Sequence, residues 1–516
     1  MKPGKTVWKN TVIHFAHLTI LFVLLLFTAT RAKAEVRLAS IFADHMVLQR
    51  DRPIMLWGTA PPDDNVTVLF AGQTAEITAS SDGAWSVTLK PLAASKTGQP
   101  IQVICGTESI TIDNVLVGDV WHASGQSNMA MTVGAMAKEL DVVQTDIATA
   151  DLPALRFCRI NEAESPEPLS DLPRRATWRG CTPETVSGFS GVAFYFARRL
   201  HQELGVPIGV INSSRGGTPI EPFIPRAAFA SHPTLRRESE LGDRGDLDAI
   251  WRLPGGVRAR DANWLPGRLF NSRLAPITRF AVRGLIWYQG ESNCGDGEDA
   301  RQYQHKMRAL IRGWRDELND KKLPVYFVQL PGSGAREGWS CLREQQRLAA
   351  YLPHTGMVVT VDIDGAGIHP PNKIDVGQRL ARWTLAKDNA KEIAFSGPLF
   401  DRQEIRGREV VLHFRHAEAG LMVATKDGLA EPRETPNAAL AEFEVTDKTG
   451  EWHTAMARIV GQTVIVTSAH VSSPIAVRYA YGVTPTDCNL YNRDGLPASP
   501  FCSQPDLLKY DPKLPE

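Results

Sequence analysis

Apolar and polar positions follow each other along this chain in three different rhythms. From Val36 to about Ile112 the apolar runs are short, as in Pro53-Ile54-Met55-Leu56-Trp57 and Val66-Thr67-Val68-Leu69-Phe70, and the clusters Pro61-Pro62-Asp63-Asp64 and Ser81-Asp82-Gly83 separate them. Short β-branched and aromatic runs bounded by turn residues predict a small antiparallel sandwich. From about 113 to 388 strand-like and helix-like patterns alternate, which predicts a mainly parallel sheet covered by helices. The expected strands are Val115 to Trp121, Pro207 to Asn212, Val282 to Tyr288, Val325 to Leu330 and Met357 to Val361; the expected helices are Val192 to Leu204, Ala300 to Leu318 and Lys373 to Ala386. In the second helix Tyr303, Met307, Leu310, Ile311, Trp314 and Leu318 recur at three and four residues, which marks a buried stripe rather than a ligand box. From about Ile393 short strands return, as in Val410-Val411-Leu412-His413-Phe414 and Ile475-Ala476-Val477-Arg478-Tyr479. The fold class expected is therefore α/β, with β-sandwich-like modules at both ends: 35–112, 113–388 and 389–516. The stretches 145–190 and 230–265 read as loop-rich insertions.

The 516 residues suit about three domains at roughly 150 residues each. Lys and Arg number 57, Asp and Glu also 57, and no basic block stands out, so the electrostatic footprint of a nucleic-acid binder is missing. Residues 1–34 are different: Lys2, Lys5, Lys9, Arg31 and Lys33 occur there without a single acid. They surround an apolar run from about Leu18 to Phe27, and Ala32-Lys33-Ala34 follows with small residues at both ends, the pattern of a signal peptide cleaved after Ala34. The apolar core is shorter than the ~20 residues an anchoring span needs. Export to the periplasm or the exterior is expected, or to the lysosome in a eukaryote, with no membrane association once the leader is gone. Seven cysteines in such a chain make disulfides plausible, Cys488 with Cys502 first and Cys294 with Cys341 next, with one thiol left over. No C-x-x-C occurs, so neither a zinc ribbon nor a thioredoxin-like centre is expected, and no calcium-type ligand spacing is evident.

Four of the five central strands run straight into polar, glycine-bearing sequences: Ser124-Gly125-Gln126-Ser127-Asn128, Ser213-Ser214-Arg215-Gly216-Gly217-Thr218, Gln289-Gly290-Glu291-Ser292-Asn293, and Asp362-Ile363-Asp364-Gly365-Ala366-Gly367-Ile368-His369-Pro370. In an open parallel sheet, ligand sites lie outside the carboxyl ends of the strands, so these four segments should meet in one crevice. Ser127, at a tight strand-to-helix turn, is the candidate nucleophile, although Met129 replaces the second glycine of a G-x-S-x-G elbow. Of 13 histidines His369 is best placed as base; His122 reads as a strand-end residue. Oxyanion donors are expected from the N–H groups of Ser127 and Gly217 and from the side-chain amide of Gln289 or Asn293.

With these residues the chain resembles the sialate O-acetylesterase family, whose catalytic domain belongs to the SGNH-hydrolase group. The resemblance rests on Phe42-Ala43-Asp44-His45-Met46-Val47-Leu48-Gln49-Arg50, Gly125-Gln126-Ser127-Asn128-Met129, Gly216-Gly217-Thr218-Pro219-Ile220-Glu221, Trp287-Tyr288-Gln289-Gly290-Glu291-Ser292-Asn293, Ile368-His369-Pro370 with Asn372-Lys373, and Asn489-Leu490-Tyr491-Asn492 with Gly495-Leu496-Pro497. It implies a serine esterase that removes O-acetyl groups from sugar without metal or organic cofactor, with Ser127 as nucleophile, His369 as base and Gly217 with Asn293 or Gln289 as oxyanion donors. One position departs from the pattern. Where SGNH enzymes carry an aspartate three residues before the histidine this chain has Ala366, which leaves Asp364 as the candidate third member. Gln126, Arg215, Glu221 and Trp121, with Trp339, are the expected sugar contacts, Arg215 suiting a carboxylate by bidentate pairing. The expected substrate is an acetylated carbohydrate, sialic acid first, with acetylated xylan or another polysaccharide as the alternative. A non-catalytic sugar-binding protein is the competing class.

Overall fold

The computed structural model describes Met1 and residues 35–253, 262–295, 300–332, 336–363 and 367–508. The expected leader, apart from Met1, lies outside them, and so does Asp364. Among the described residues no helix is long and apolar enough to cross a membrane.

A mixed sheet of 11 strands forms the centre of the molecule. Its main path runs Trp178–Cys181, Leu152–Arg159, Ile208–Asn212, Glu108–Gly125, Gly284–Tyr288, Val325–Val328, Thr355–Val358. All neighbours on that path are parallel except the edge strand Trp178–Cys181. The five central strands expected from the apolar runs are present, each buried along most of its length because both faces are covered. Two more strands come from the stretch read as an insertion. Leu152–Arg159 carries Pro153 and two arginines and Trp178–Cys181 is only four residues long, so neither shows a clean strand period.

The N-terminal β segment and the central sheet are joined by one strand. The first half of Glu108–Gly125 pairs antiparallel with Ser95–Cys105, and its middle runs parallel to Val47–Gln49. Its second half lies between Ile208–Asn212 and Gly284–Tyr288. The sequence boundary at 112/113 thus falls inside a single continuous strand. Asp119, buried at the crossover, is held by Arg50 Nε at 2.8 Å.

Helices Gly191–Leu204 and Lys373–Asp388 pack together on one face; the N–H of Ala193 caps onto Ser190 Oγ and that of Asp375 onto Asn372 Oδ1. The expected stripe of Tyr303–Glu317 is buried from Tyr303 to Trp314, with Leu318 partly buried after it. A further helix, Trp339–Ala349, escapes the sequence pattern because its middle is the polar run Arg343-Glu344-Gln345-Gln346-Arg347, all of it buried, with polar partners for Arg343, Glu344, Gln346 and Arg347. Arg347 pairs with Glu344 at 2.5 Å, and Gln346 Oε1 accepts from the N–H of Leu330 at 2.8 Å.

Antiparallel sheets follow from Leu399 onward. They dock on the central unit through Ser499 Oγ, which receives Gln329 Nε2 at 3.1 Å, and through Tyr491, whose hydroxyl reaches Asp362 Oδ2 at 3.3 Å. The expected bridge between Cys488 and Cys502 is not formed; both are free thiols, and burial pushes that of Cys502 up to about 12. Cys502 instead donates its S–H to the Gln504 carbonyl at 3.2 Å.

Candidate active site

The long strand Glu108–Gly125 delivers Ser127. Gly125 ends it at φ +137°, and a Cβ there would lie 2.1 Å from the carbonyl oxygen of Tyr288 on the next strand. A glycine lets the two backbones close up, and the N–H of Gln126 then donates to that same oxygen at 3.0 Å. Ser127 opens the short helix Ser127–Ala130 directly after this close approach and stays half-buried.

His369 arrives from the opposite side of the sequence. It lies between Ile368 and Pro370-Pro371, just ahead of helix Lys373–Asp388, and its Nε2 is 2.7 Å from Ser127 Oγ. Burial, with the Lys373 ammonium adding to it, holds the imidazolium pKa below its ordinary value. The ring is therefore neutral and able to accept a proton at neutral pH.

The Gly216-Gly217 turn closes a third side. Its backbone is tied to the strand that leads to Ser127 by the N–H of Arg215, which donates to the Gly125 carbonyl at 2.9 Å. A Cβ on Gly216 would lie 3.7 Å from that of Ser127. Gly217 has φ +68°. Neither the N–H of Ser127 nor that of Gly217 donates to any group among the described residues. Two backbone donors, one on Ser127 and one on the glycine turn, are thus without partners among the described residues.

The other expected donors are turned elsewhere. Gln289 Nε2 donates to Asn293 Oδ1 at 2.8 Å and to Gln126 Oε1 at 3.1 Å, while Gln289 Oε1 accepts from the Tyr303 hydroxyl at 2.7 Å. Asn293 Nδ2 donates to the Glu221 carboxylate at 3.1 and 3.2 Å. Both amides brace the loop after Gly284–Tyr288 because their hydrogens already have buried acceptors, which corrects the expectation that one of them faces the hydroxyl. Gln126 belongs to the same network, its Oε1 also accepting from the N–H of Ser292 at 3.2 Å.

Three expected sugar contacts are corrected as well. Trp121 is fully buried against Phe196 and Tyr326, with ring centroids 5.0 and 6.1 Å away, so no sugar reaches it. Glu221 is fully buried and ion-paired with Lys306. Trp339 is buried with its indole N–H donated to the Pro331 carbonyl at 2.9 Å. Arg215 keeps a side chain 38% exposed beside the glycine turn, paired with Glu164.

A buried polar cluster under the Ser127–His369 pair was not anticipated as a unit. Asn128, with no exposed surface, donates Nδ2–H to Glu291 Oε1 and to the Ile368 carbonyl at 2.8 Å, and its Oδ1 accepts from Lys373 Nζ at 2.5 Å. Burial pushes the Glu291 carboxyl up to about 7 and the Lys373 ammonium down to about 7, each drawn back by the charge of the other. The Lys373 ammonium also lies 5.3 Å from the centre of the Tyr288 ring. The sequence signal was available: all three residues stand inside the motifs quoted for the resemblance. Among the described residues no group of His, Cys, Asp and Glu is arranged to hold a metal ion.

Comparison with known proteins bears on this geometry. A family model described as carbohydrate esterase, sialic acid-specific acetylesterase matches residues 255–386. The mouse sialate O-acetylesterase is 28% identical over 91% of this chain and 94% of its own length, and the human one 28% identical over 93% and 94%. The crystal structure of a carbohydrate acetylesterase from Xanthomonas citri superimposes with a TM-score of 0.79 at 34% identity, over 91% of this chain and 99% of that one.

Proposed function

Since the chain belongs to the sialate O-acetylesterase family of carbohydrate esterases and is a carboxylic ester hydrolase, we propose that it is an exported serine esterase that removes O-acetyl groups from sugar through an acetyl-serine intermediate. The observation that carries the reading is the 2.7 Å contact between Ser127 Oγ and His369 Nε2, made across 242 residues of sequence, with the N–H groups of Ser127 and Gly217 left without partners among the described residues.

In the first step Ser127 Oγ attacks the acetyl carbonyl carbon as His369 Nε2 takes its proton. The carbonyl electrons move to oxygen, and the N–H groups of Ser127 and Gly217 receive that oxyanion. Collapse breaks the bond to the sugar oxygen, which leaves with the proton carried by His369. Water then attacks the acetyl-serine with His369 again as base, acetate departs and the proton returns to Ser127 Oγ. A serine–histidine pair backed by oxyanion donors accounts for the step without a metal or organic cofactor.

In this reading the central parallel strands are the sheet of an SGNH-type hydrolase, spanning 113–388. Residues 35–112 and 389–516 buttress its loops, and 1–34 are a leader removed on export. The preferred sugar is sialic acid, with Arg215, beside the glycine turn, as the group suited to its carboxylate.

Acetate release by the mature chain and by Ser127→Ala, from O-acetylated sialic acid and from acetylated xylan, tests the proposal. Release that falls by about 10³-fold or more in the variant supports Ser127 as nucleophile, and faster turnover of the sialic acid supports the sugar. Equal release by both proteins would refute the nucleophile, and faster turnover of xylan would replace the sugar.

A further inference from the structure

The base sits on a segment that is held by the residue next to the nucleophile. The three polar sites of the Asn128 amide all have partners: its nitrogen gives hydrogens to the Ile368 carbonyl and to Glu291, and its oxygen receives Lys373. Ile368 precedes His369 and Lys373 follows it by four residues, so one side chain grips the segment on both sides of the base. The connections close into a ring that runs from Ser127 to Asn128, across to Ile368, along to His369 and back to Ser127 Oγ at 2.7 Å.

The amide has one orientation. Turned over, it would set its oxygen against the Ile368 carbonyl and the Glu291 carboxylate, and its N–H groups against the Lys373 ammonium. Charge therefore selects the orientation that grips Ile368. Glu291 and Lys373 are both buried, and as a direct ion pair they would attract each other more strongly than through an interposed amide. The amide between them gives up that attraction and gains the hold on the base segment. Pro370 and Pro371 stiffen the stretch between the two grips, since each fixes its own φ and restricts the residue before it.

We infer that Asn128 is a positioning residue: it sets the place of the His369 imidazole against Ser127 Oγ by holding the backbone before the base and Lys373 after it. Glu291 and Lys373 fix the orientation of the amide. The inference rests on the reading of Ser127 and His369 given above, and it locates the support of the base in its main chain.

Hydrolysis of 4-nitrophenyl acetate, whose small alcohol makes no sugar contacts, isolates this effect. Asn128→Ala, His369→Ala, the double variant and Asn128→Asp are compared with the parent, with urea unfolding as the check on folding. Asn128→Ala is expected to lower kcat about 10- to 100-fold, the usual range for loss of a supporting contact, with KM within about twofold. The double variant is expected to be no slower than His369→Ala, because a residue acting through the base has nothing left to act on. Asn128→Asp keeps the volume but faces Ile368 and Glu291 with oxygen, and is expected to lose at least as much as Asn128→Ala; it carries the same criteria should the alanine variant not fold. A kcat for Asn128→Ala within about threefold of the parent, or a double variant whose loss is the product of the two single losses, would overturn the inference. Full activity of Ser127→Ala would instead remove the catalytic reading itself, so the two failures are distinguishable.

Discussion

Replacing Gly125 by alanine tests whether the closeness of two strands places Ser127, the proposed nucleophile. The added Cβ would start 2.1 Å from the Tyr288 carbonyl oxygen, where ordinary contact begins at 3.4 Å. The strands must separate locally by about 1 Å. The residue must also keep φ +137°, which for a non-glycine costs about 1–3 kcal/mol. Separation weakens the bond from the Gln126 N–H to the same oxygen, worth about 1 kcal/mol. Together these give a destabilisation of about 3 kcal/mol. A shift of about 1 Å in Ser127 lowers kcat by about 10²-fold. Acetate release and urea unfolding measure the two effects on one preparation. Gly205→Ala is the control: Gly205 also has positive φ, +69°, but its Cβ would meet nothing within 4 Å, and it caps a helix away from the site. It is expected to cost about 1 kcal/mol from conformational strain and to leave kcat unchanged. A Gly125→Ala protein with kcat within about threefold of the parent and stability within about 0.5 kcal/mol would refute the reasoning.

His122 is buried with its Nε2 2.6 Å from Ser213 Oγ, and burial lowers its pKa from 6.5 to about 3. The unfolded chain therefore binds a proton that the folded one does not; this stabilising contribution is full above pH 6.5 and is lost as pH falls toward 3, by up to about 1.4 kcal/mol per unit. Between pH 7 and 5 the urea midpoint of the parent is expected to fall more steeply than that of His122→Gln; parallel slopes would contradict this. Arg379 meets Asp362 at 2.7 Å through both guanidinium nitrogens, both side chains being almost wholly buried, seven residues ahead of His369. Arg379→Met leaves the carboxylate without its charge partner and is expected to cost about 3 kcal/mol, partly recovered in Arg379→Met/Asp362→Asn; a loss under about 1 kcal/mol by urea unfolding would rule this out.

Much of the architecture was legible in the order of residues. Runs such as Leu285-Ile286-Trp287-Tyr288 are apolar without alternation because both faces of the strand are covered, and the stripe from Tyr303 to Trp314 repeats at the helical period because one face is. Local period reports local burial, and burial is what forms these elements. It was silent where polar partners replace apolar burial. The helix Trp339–Ala349 hides Arg343 and Gln346 through contacts with distant residues and Glu344 with Arg347 as a mutual pair, and Leu152–Arg159 takes its place in the sheet from its neighbours despite Pro153.

The same division runs through the site. That the segments carrying Ser127, Gly216 and His369 come together followed from topology, since segments leaving the carboxyl ends of parallel strands share one edge of the sheet. Which polar groups face the hydroxyl did not follow. Gln289, Asn293 and Glu221 stand in the same glycine-bearing loops as the groups beside Ser127, yet they point into a buried network that includes Tyr303 and Lys306. Asn128, one residue after Ser127, is turned down to hold Ile368 and Lys373. The sequence by itself determined the strands, the sheet edge and the residues available there, because those depend on interactions short along the chain. Only the tertiary structure decided which side chains remain open to a substrate and which hold one another, because a hydrogen bond is directional and its partner lies up to 245 residues away.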